Sequence, residues 1–328
     1  MVHEPSARTV VVIATGGTIA SQNSQHGTVV GGGVDDMLQD LPVGPVRVRG
    51  RDLLGMGSYL FGHRELRRIA EAVTEETARG DVDGVVITHG TDTMEETAFL
   101  LELVHTGDKP VVVTGAQKAA DQRDTDGPRN LADAITVAAA DTSRGCGALI
   151  VFAGRVHAPH QTRKHHTIAP DPYRSGDGGP LGRVGSGELR WMALPNRPPP
   201  LAIPDTRFDT TRVDVVTHHP GADAALADAA VRAGAAAVVL AGTGAGNGNH
   251  ALVDWTRSAV RSGTSVGLST RVPEGPTVPI YGNGGAVDLV DAGAVCLGGL
   301  PLYHGRLLLA LLRHADVPIT AETVEPYR

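Results

Sequence analysis

Short, almost wholly apolar runs rich in Val and Ile recur along this chain, separated by longer stretches that mix Ala and Leu with charge. The short runs predict strands at residues 9–14, 84–88, 110–114, 148–152, 213–217, 236–240 and 265–269. Between them, apolar positions at helical spacing predict helices over 63–79, 93–106, 128–141, 222–233 and 251–262. Such alternation implies repeated βα units and hence an α/β protein. Glu95 and Glu96 fall in the first turn of the helix starting at 93, where the positive end of the dipole favours carboxylates. Pro128 can open the next helix, because a first-turn position needs no backbone donor.

Two stretches break the alternation. Residues 194–212 read LPNRPPPLAIPDTRFDTTR, with five prolines and no period, and proline at that density stiffens an extended linker. The expected organisation is a larger N-terminal catalytic domain with a doubly wound sheet (1–193), the linker (194–212) and a smaller C-terminal Rossmann-like α/β domain (213–328). Residues 154–187 are polar and lack a strong period, which implies a functional loop or short hairpins.

Composition narrows the class. Of 328 residues 42 are Gly, while aromatics make up 3%, so the core is filled by Val, Leu, Ile and Ala and the backbone turns tightly in many places. Lys and Arg number 29 against 36 Asp and Glu, a formal charge of −7, which argues against a general nucleic-acid or anionic-membrane binder. The two cysteines, Cys146 and Cys296, lie far apart in apolar contexts and read as reduced core thiols, with a single disulfide as the alternative. The first eight residues are polar, the apolar run 10–14 is too short for a signal-peptide core, and no run of about 18 apolar residues occurs. A soluble, cytoplasmic protein is expected.

Candidate chemistry gathers at three predicted strand ends, where an open parallel sheet forms its ligand crevice. Residues 10–21, VVVIATGGTIAS, end a strand at Thr15 and place Gly16, Gly17 and Thr18 after it. Glycines there let main-chain N–H groups approach an oxygen, although a tight turn with hydroxyl caps reads equally well. Residues 84–101, GVVITHGTDTMEETAFLL, set His89, Gly90, Thr91, Asp92 and Thr93 between strand and helix, more polar groups than capping requires. Residues 110–119, PVVVTGAQKA, end a third strand in Thr-Gly-Ala. No GxSxG, HExxH or paired CxxC occurs, which leaves a threonine nucleophile activated by a neighbouring base such as lysine.

ATGGTIAS (14–21) and THGTDTMEETAFLL (88–101) resemble the two signature segments of the bacterial L-asparaginase family. The resemblance continues through VVVTGAQ (111–117), DGPRNL (126–131), TRKHHT (162–167), GAGNGN (244–249) and STRVPEG (269–275), in order along nearly the whole chain. It implies hydrolysis of L-asparagine to L-aspartate and ammonia, without a cofactor or metal. By position, Thr18 matches the nucleophile, and Thr91, Asp92 and Lys164 match the second catalytic group. Thr18 would attack the side-chain amide carbon, and water would then hydrolyse the aspartyl ester, one high barrier replaced by two lower ones. Thr91 with Lys164 would activate that water, and Asp92 would hold the α-ammonium. Ser58 matches the serine that holds the α-carboxylate, the Ala116 carbonyl an acceptor for the amide NH₂, and Gly90 and Tyr59 fall at substrate-binding positions. Asn249 matches an asparagine lent across a subunit interface, so the resemblance implies a homodimer or homotetramer with active sites at the interfaces.

Three departures bear on this reading. The family's mobile loop brings a tyrosine to the nucleophile, whereas residues 25–33, QHGTVVGGG, form a short loop with Gly27 at that place. The residue after the serine is usually Gln or Asp, and here it is Tyr59, whose hydroxyl either replaces the missing one or whose ring only fills the pocket. The glutamate that a neighbouring subunit contributes in many members is missing from TVPIYGNGG (277–285). With that acid absent and Tyr59 bulkier than glutamine, poor glutamine hydrolysis is expected. Three alternatives stay open: a dual glutaminase-asparaginase, the asparaginase-like subunit of a tRNA-dependent amidotransferase, and a non-catalytic amino-acid-binding protein. The second carries an extra N-terminal domain, for which a first signature starting at Ala14 is expected to leave no room.

Other features read more plainly. Gly242, Gly244, Gly246 and Gly248 invite a dinucleotide reading, but no acid ends the strand at 265–269 to bind a ribose, and the loop instead presents Asn247 and Asn249. Fourteen histidines, His157, His160, His165 and His166 among them, lack an accompanying carboxylate or cysteine pattern and read as solvated or loop-packing. His89 reads as structural within its turn, and Glu71, Glu75, Glu76, Glu95 and Glu96 as exposed helix faces or first-turn charges.

Overall fold

The computed structural model describes residues 7–25, 27–39 and 41–328, and the chain divides between Ile203 and Pro204 into two compact units. The first unit runs β1 (Thr9–Ala14), β2 (Ser21–Ser24), β3 (Gly27–Val30), α1 (Val34–Leu38), β4 (Arg47–Asp52), α2 (His63–Ala78), β5 (Gly84–Thr88) and α3 (Met94–Val104). It continues with β6 (Val111–Thr114), α4 (Gly127–Ala139), β7 (Ala148–Phe152), β8 (Arg155–His157), β9 (Arg163–Lys164), β10 (Tyr173–Arg174), β11 (Gly182–Gly185) and β12 (Glu188–Trp191).

Its main sheet has the order β12-β11-β8-β7-β6-β5-β1-β4. β4, β1, β5, β6 and β7 pair in parallel, and β8, β11 and β12 extend the sheet antiparallel. The central strands are Val- and Ile-rich and wholly buried because helices cover both faces. Val10, Val12 and Ala14 of β1 share a core cluster with Leu131, Ala134 and Ile135 of α4, while α2 and α3 contribute nothing to that cluster and pack on the opposite face. Gly84 lets α4 come close: a Cβ there would stand 2.1 Å from the Ala138 carbonyl oxygen.

From β1 the chain crosses to β4 on one side and then returns to β5 on the other. The strand order therefore reverses at β1 and β5, and a crevice opens beyond their C-terminal ends. The signature segments 15–18 and 89–92 follow those two ends.

Residues 154–187 meet the expectation of short hairpins, whereas β4 lies outside the sequence expectation. β4 (RVRGRD) is an edge strand, half exposed and arginine-rich, with Gly50 under Val34 of α1. Residues 154–187 fold as short strands, β8 to β11, joined by turns. Residues 194–203 carry no regular structure.

The second unit runs β13 (Val213–Thr217), α5 (Ala225–Arg232), β14 (Ala237–Gly242), α6 (His250–Arg261), β15 (Ser265–Thr270), α7 (Ala286–Asp291), β16 (Val295–Cys296), α8 (Leu302–His314) and α9 (Ala321–Val324). Its four strands are all parallel in the order β13-β14-β15-β16. α8, absent from the sequence expectation, is buried over Leu307–Leu312. The molecule is thus α/β, with a larger mixed sheet and a separate, smaller parallel sheet. No helix among the described residues is long and apolar enough to cross a membrane.

Candidate active site

The turn after β1 positions Thr18. Gly16 and Gly17 adopt φ of 98° and 81°, which side chains disfavour, and Gly17 donates its N–H to the Met56 carbonyl at 3.2 Å. A Cβ on Gly17 would lie 2.4 Å from the Gly90 nitrogen, so only glycine lets the two signature segments touch. Thr18 then begins a short 3₁₀ turn, half-buried, and among the described residues nothing hydrogen-bonds its hydroxyl.

Gly17, Thr18, Ser58, Tyr59, Gly90, Thr91 and Asp92 line one pocket of about 360 Å³ in the first unit, with Val29 and Val30 of the β2–β3 hairpin on its wall. That volume suits a small ligand. A larger cavity of about 470 Å³ opens behind the Thr18 turn, but its one carboxylate, Asp36, already holds the Gly33 N–H, and its one hydroxyl, Thr125, donates to the Lys118 carbonyl at 3.1 Å.

Lys164 reaches the pocket from β9. Its Nζ donates to Thr91 Oγ1 at 2.8 Å and to Asp92 Oδ1 at 2.8 Å. The backbone that carries it is pinned: the Lys164 N–H donates to Glu95 Oε2, and the fully buried Tyr173 of β10 donates its hydroxyl to the Thr91 carbonyl at 2.8 Å. Burial holds the Tyr173 phenol well above its ordinary value, so it stays a donor.

Glu95 corrects the expectation of a plain first-turn charge. Burial pushes its carboxyl up to about 7, although the Lys164 N–H and the nearby Arg163 and Lys164 charges pull it back. His89 is fully buried and held down to about 4 by desolvation, hence neutral. Its Nδ1 donates to the Gly90 carbonyl at 2.7 Å and its Nε2 accepts from Thr97 at 2.8 Å, which fixes the turn between Thr88 and Thr91.

Ser58 is buried with an Oγ that has no partner among the described residues, beside Gly90, where a Cβ would stand 2.6 Å from that oxygen. An orphaned buried hydroxyl is costly unless a ligand completes it. Tyr59 is 70% exposed, with its ring over Gly57. The hairpin holds Gly27 opposite Ser24 in an open position, while His26 lies outside the described residues.

Two expected site residues fall elsewhere. Ala116 is fully buried beyond β6 and does not line the pocket. Asn249 belongs to the second unit, where it caps α6: its Oδ1 accepts from the Leu252 N–H at 2.9 Å and its Nδ2 donates to the Ala222 carbonyl at 2.7 Å. Sequence reasoning missed Glu95, Gln117 and Tyr173. Gln117 accepts from Thr91 Oγ1 at 3.0 Å, and its only signal was a place in the third strand-end segment.

The sequence signature described as Asparaginase, N-terminal, matches residues 9–197, and that of the Glutaminase/Asparaginase C-terminal domain matches 212–320. The chain belongs to the asparaginase family. It is 32% identical to L-asparaginase 2 of Bacillus subtilis, over 92% of this chain and 81% of that protein. It is 33% identical to L-asparaginase 2 of Escherichia coli, over 92% and 88%. A glutaminase-asparaginase of Pseudomonas fluorescens is 31% identical over 81% of this chain and 76% of its own. Family membership makes asparaginase-type amide hydrolysis the chemistry to account for.

Proposed function

We propose that this asparaginase-family chain hydrolyses L-asparagine to L-aspartate and ammonia through an ester on Thr18. One observation carries the reading: a hydroxyl without a partner, Thr18, shares a pocket with Thr91 and Asp92, both of which accept from Lys164 Nζ. Thr91 is a poorer nucleophile, because its proton goes to Gln117, whose amide oxygen is a weak base.

In the first step the Thr18 oxygen bonds to the side-chain amide carbon, the C–N bond breaks, and the proton Thr18 loses ends on the departing ammonia. Asp92 commits one oxygen to Lys164 and offers Oδ2 to the α-ammonium, while the Ser58 hydroxyl meets the α-carboxylate. Gly90 keeps the space between them open. Water then attacks the ester with Thr91 and Lys164 beside it. No cofactor takes part in this scheme. The protein is further proposed to be cytoplasmic, in keeping with two free thiols, Cys146 and Cys296.

Ammonia release from asparagine tests the reading. Thr18→Ala is expected to lower the rate by about 10³-fold or more while leaving the fold intact. Equal rates in the two proteins overturn it. A dual glutaminase-asparaginase is the second reading, favoured by the relative of that name. One methylene discriminates by about 10–200-fold in a fitted pocket. With Tyr59 on its wall this pocket is expected to give glutamine a kcat/KM at least about tenfold below asparagine, and parity of the two substrates favours the dual reading.

A further inference from the structure

Gln117 does not itself line the pocket, yet through its hydrogen bond to Thr91 it decides what the Thr91 hydroxyl can do. Its Nε2 lies 2.9 Å from the Ala169 carbonyl oxygen and 3.3 Å from that of Thr167. Carbonyl oxygens only accept, so the amide nitrogen faces these two and the amide oxygen faces Thr91. Thr91 Oγ1 stands 3.0 Å from Gln117 Oε1, and between a hydroxyl and an amide oxygen the hydroxyl must donate. Having spent its single proton, Thr91 can only accept from Lys164 Nζ at 2.8 Å. A hydroxyl oxygen has two lone pairs, so one remains. The backbone of Gln117 is fixed as well: its N–H reaches Asp126 Oδ1 and Oδ2 at 3.1 and 3.0 Å, and Asn130 Nδ2 holds Asp126 at 3.0 Å.

We propose that Gln117 is a positioning residue for hydrolysis of the acyl-enzyme, resting on the Thr18 ester proposed above. By taking the Thr91 proton it leaves Thr91 a pure acceptor toward the pocket. A water set against Thr91 then donates one hydrogen to it and turns an oxygen lone pair to the ester carbon. The water oxygen bonds to that carbon, the carbon–oxygen bond to Thr18 breaks, and the proton the water loses ends on the Thr18 oxygen, releasing the amino acid. Without the acceptor, the Thr91 hydroxyl is free to rotate and donate into the pocket, which occupies the lone pair the water needs for attack.

The test is Gln117→Leu, which removes acceptor and donors at similar volume, beside Gln117→Glu, which still accepts from Thr91. Slower deacylation lowers kcat and KM together and leaves kcat/KM in place, because that ratio reports only the steps through acylation. For Gln117→Leu the expected result is a fall of about 10²-fold in both, the size of effect that a small misplacement produces. Aspartyl-Thr18 enzyme should then accumulate and be seen by intact-protein mass spectrometry after acid quench. Gln117→Glu is expected to recover most of the lost kcat. An unchanged kcat in Gln117→Leu overturns the proposal. So does a fall in kcat/KM without a covalent adduct, and so does a thermal-stability loss common to both variants with no recovery in Gln117→Glu. A wild type that releases no ammonia from asparagine overturns the function itself, and the positioning role with it.

Discussion

At the residue scale the pocket depends on a few side chains whose roles are set by what lies beside them. Ser58 would be an ordinary buried serine were its hydroxyl paired; unpaired next to Gly90, it is left to meet a ligand, the role proposed for it above. Tyr59 is the residue on which the sequence leaves two readings. Its hydroxyl either replaces the tyrosine missing at Gly27, or its ring fills volume. With the side chain 70% exposed and the ring over Gly57, we expect a wall. Tyr59→Phe is therefore expected to keep kcat for asparagine within about twofold of wild type. A fall of about 10²-fold, the size of a lost proton-transfer group, would put the hydroxyl back into the chemistry. Thr18, Thr91, Asp92 and Lys164 were legible as residues, but the partners of Thr91 were not. Gln117 and Tyr173 reach it from 26 and 82 positions away, and no local spacing encodes such contacts.

At the element scale, legibility followed burial. β1, β5 and β7 are buried on both faces and read as unbroken apolar runs. β4 escaped because an edge strand keeps polar and charged side chains, here three arginines and an aspartate. α8 escaped for the opposite reason: the unbroken apolar run Leu307–Leu312 at its centre masks the helical period. Glu95 joins two elements, α3 and the short β9, and its behaviour is a prediction about their junction. Glu96, Arg163, Lys164 and Tyr173 face it, and burial raises its carboxyl to about 7 against the opposing pull of Arg163 and Lys164, above an unfolded value of about 4.3. The fold thus favours the neutral form. Its contribution to stability is fully present below about pH 4.3 and is lost as pH rises toward 7. Glu95→Gln, which cannot ionise, should gain Tm relative to wild type across that window and hold a constant lead above it. Parallel Tm–pH curves would mean that the carboxyl is not held neutral by the fold.

At the scale of the whole molecule, each unit has its own sheet and core, and the residues matched to the family's site divide between them: Thr18, Thr91, Asp92 and Lys164 in the first, Asn249 in the second. Asn249 caps α6 and still retains one amide proton after donating to the Ala222 carbonyl. We propose a homodimer or homotetramer in which this proton is offered across an interface. Light scattering should then give a mass at least twice that of the chain. Thr18→Ala and Asn249→Ala proteins, each impaired alone, should regain activity when mixed and reassembled. A monomer, or mixtures without recovery, would count against shared sites. Asn249→Ala also removes the cap, with an expected cost of about 1 kcal/mol in stability.

The sequence by itself determined the α/β class, the strands buried on both faces, the breaks at 154–187 and 194–212, and the residue types that can act on an amide. These are set by local periodicity, by the freedom of glycine at Gly16 and Gly17, and by side-chain chemistry, all of which sit within a few residues of one another. Only the tertiary structure decided which of those residues meet. The strand order reverses at β1 and β5, so two segments more than seventy residues apart share a pocket. Burial raised the carboxyl of a first-turn glutamate, Glu95, which accepts from the Lys164 backbone. The direction of the Thr91 proton, too, was fixed by carbonyls on a distant loop. Hydrogen-bond direction and desolvation depend on what surrounds a group in three dimensions, and a linear pattern carries no record of that.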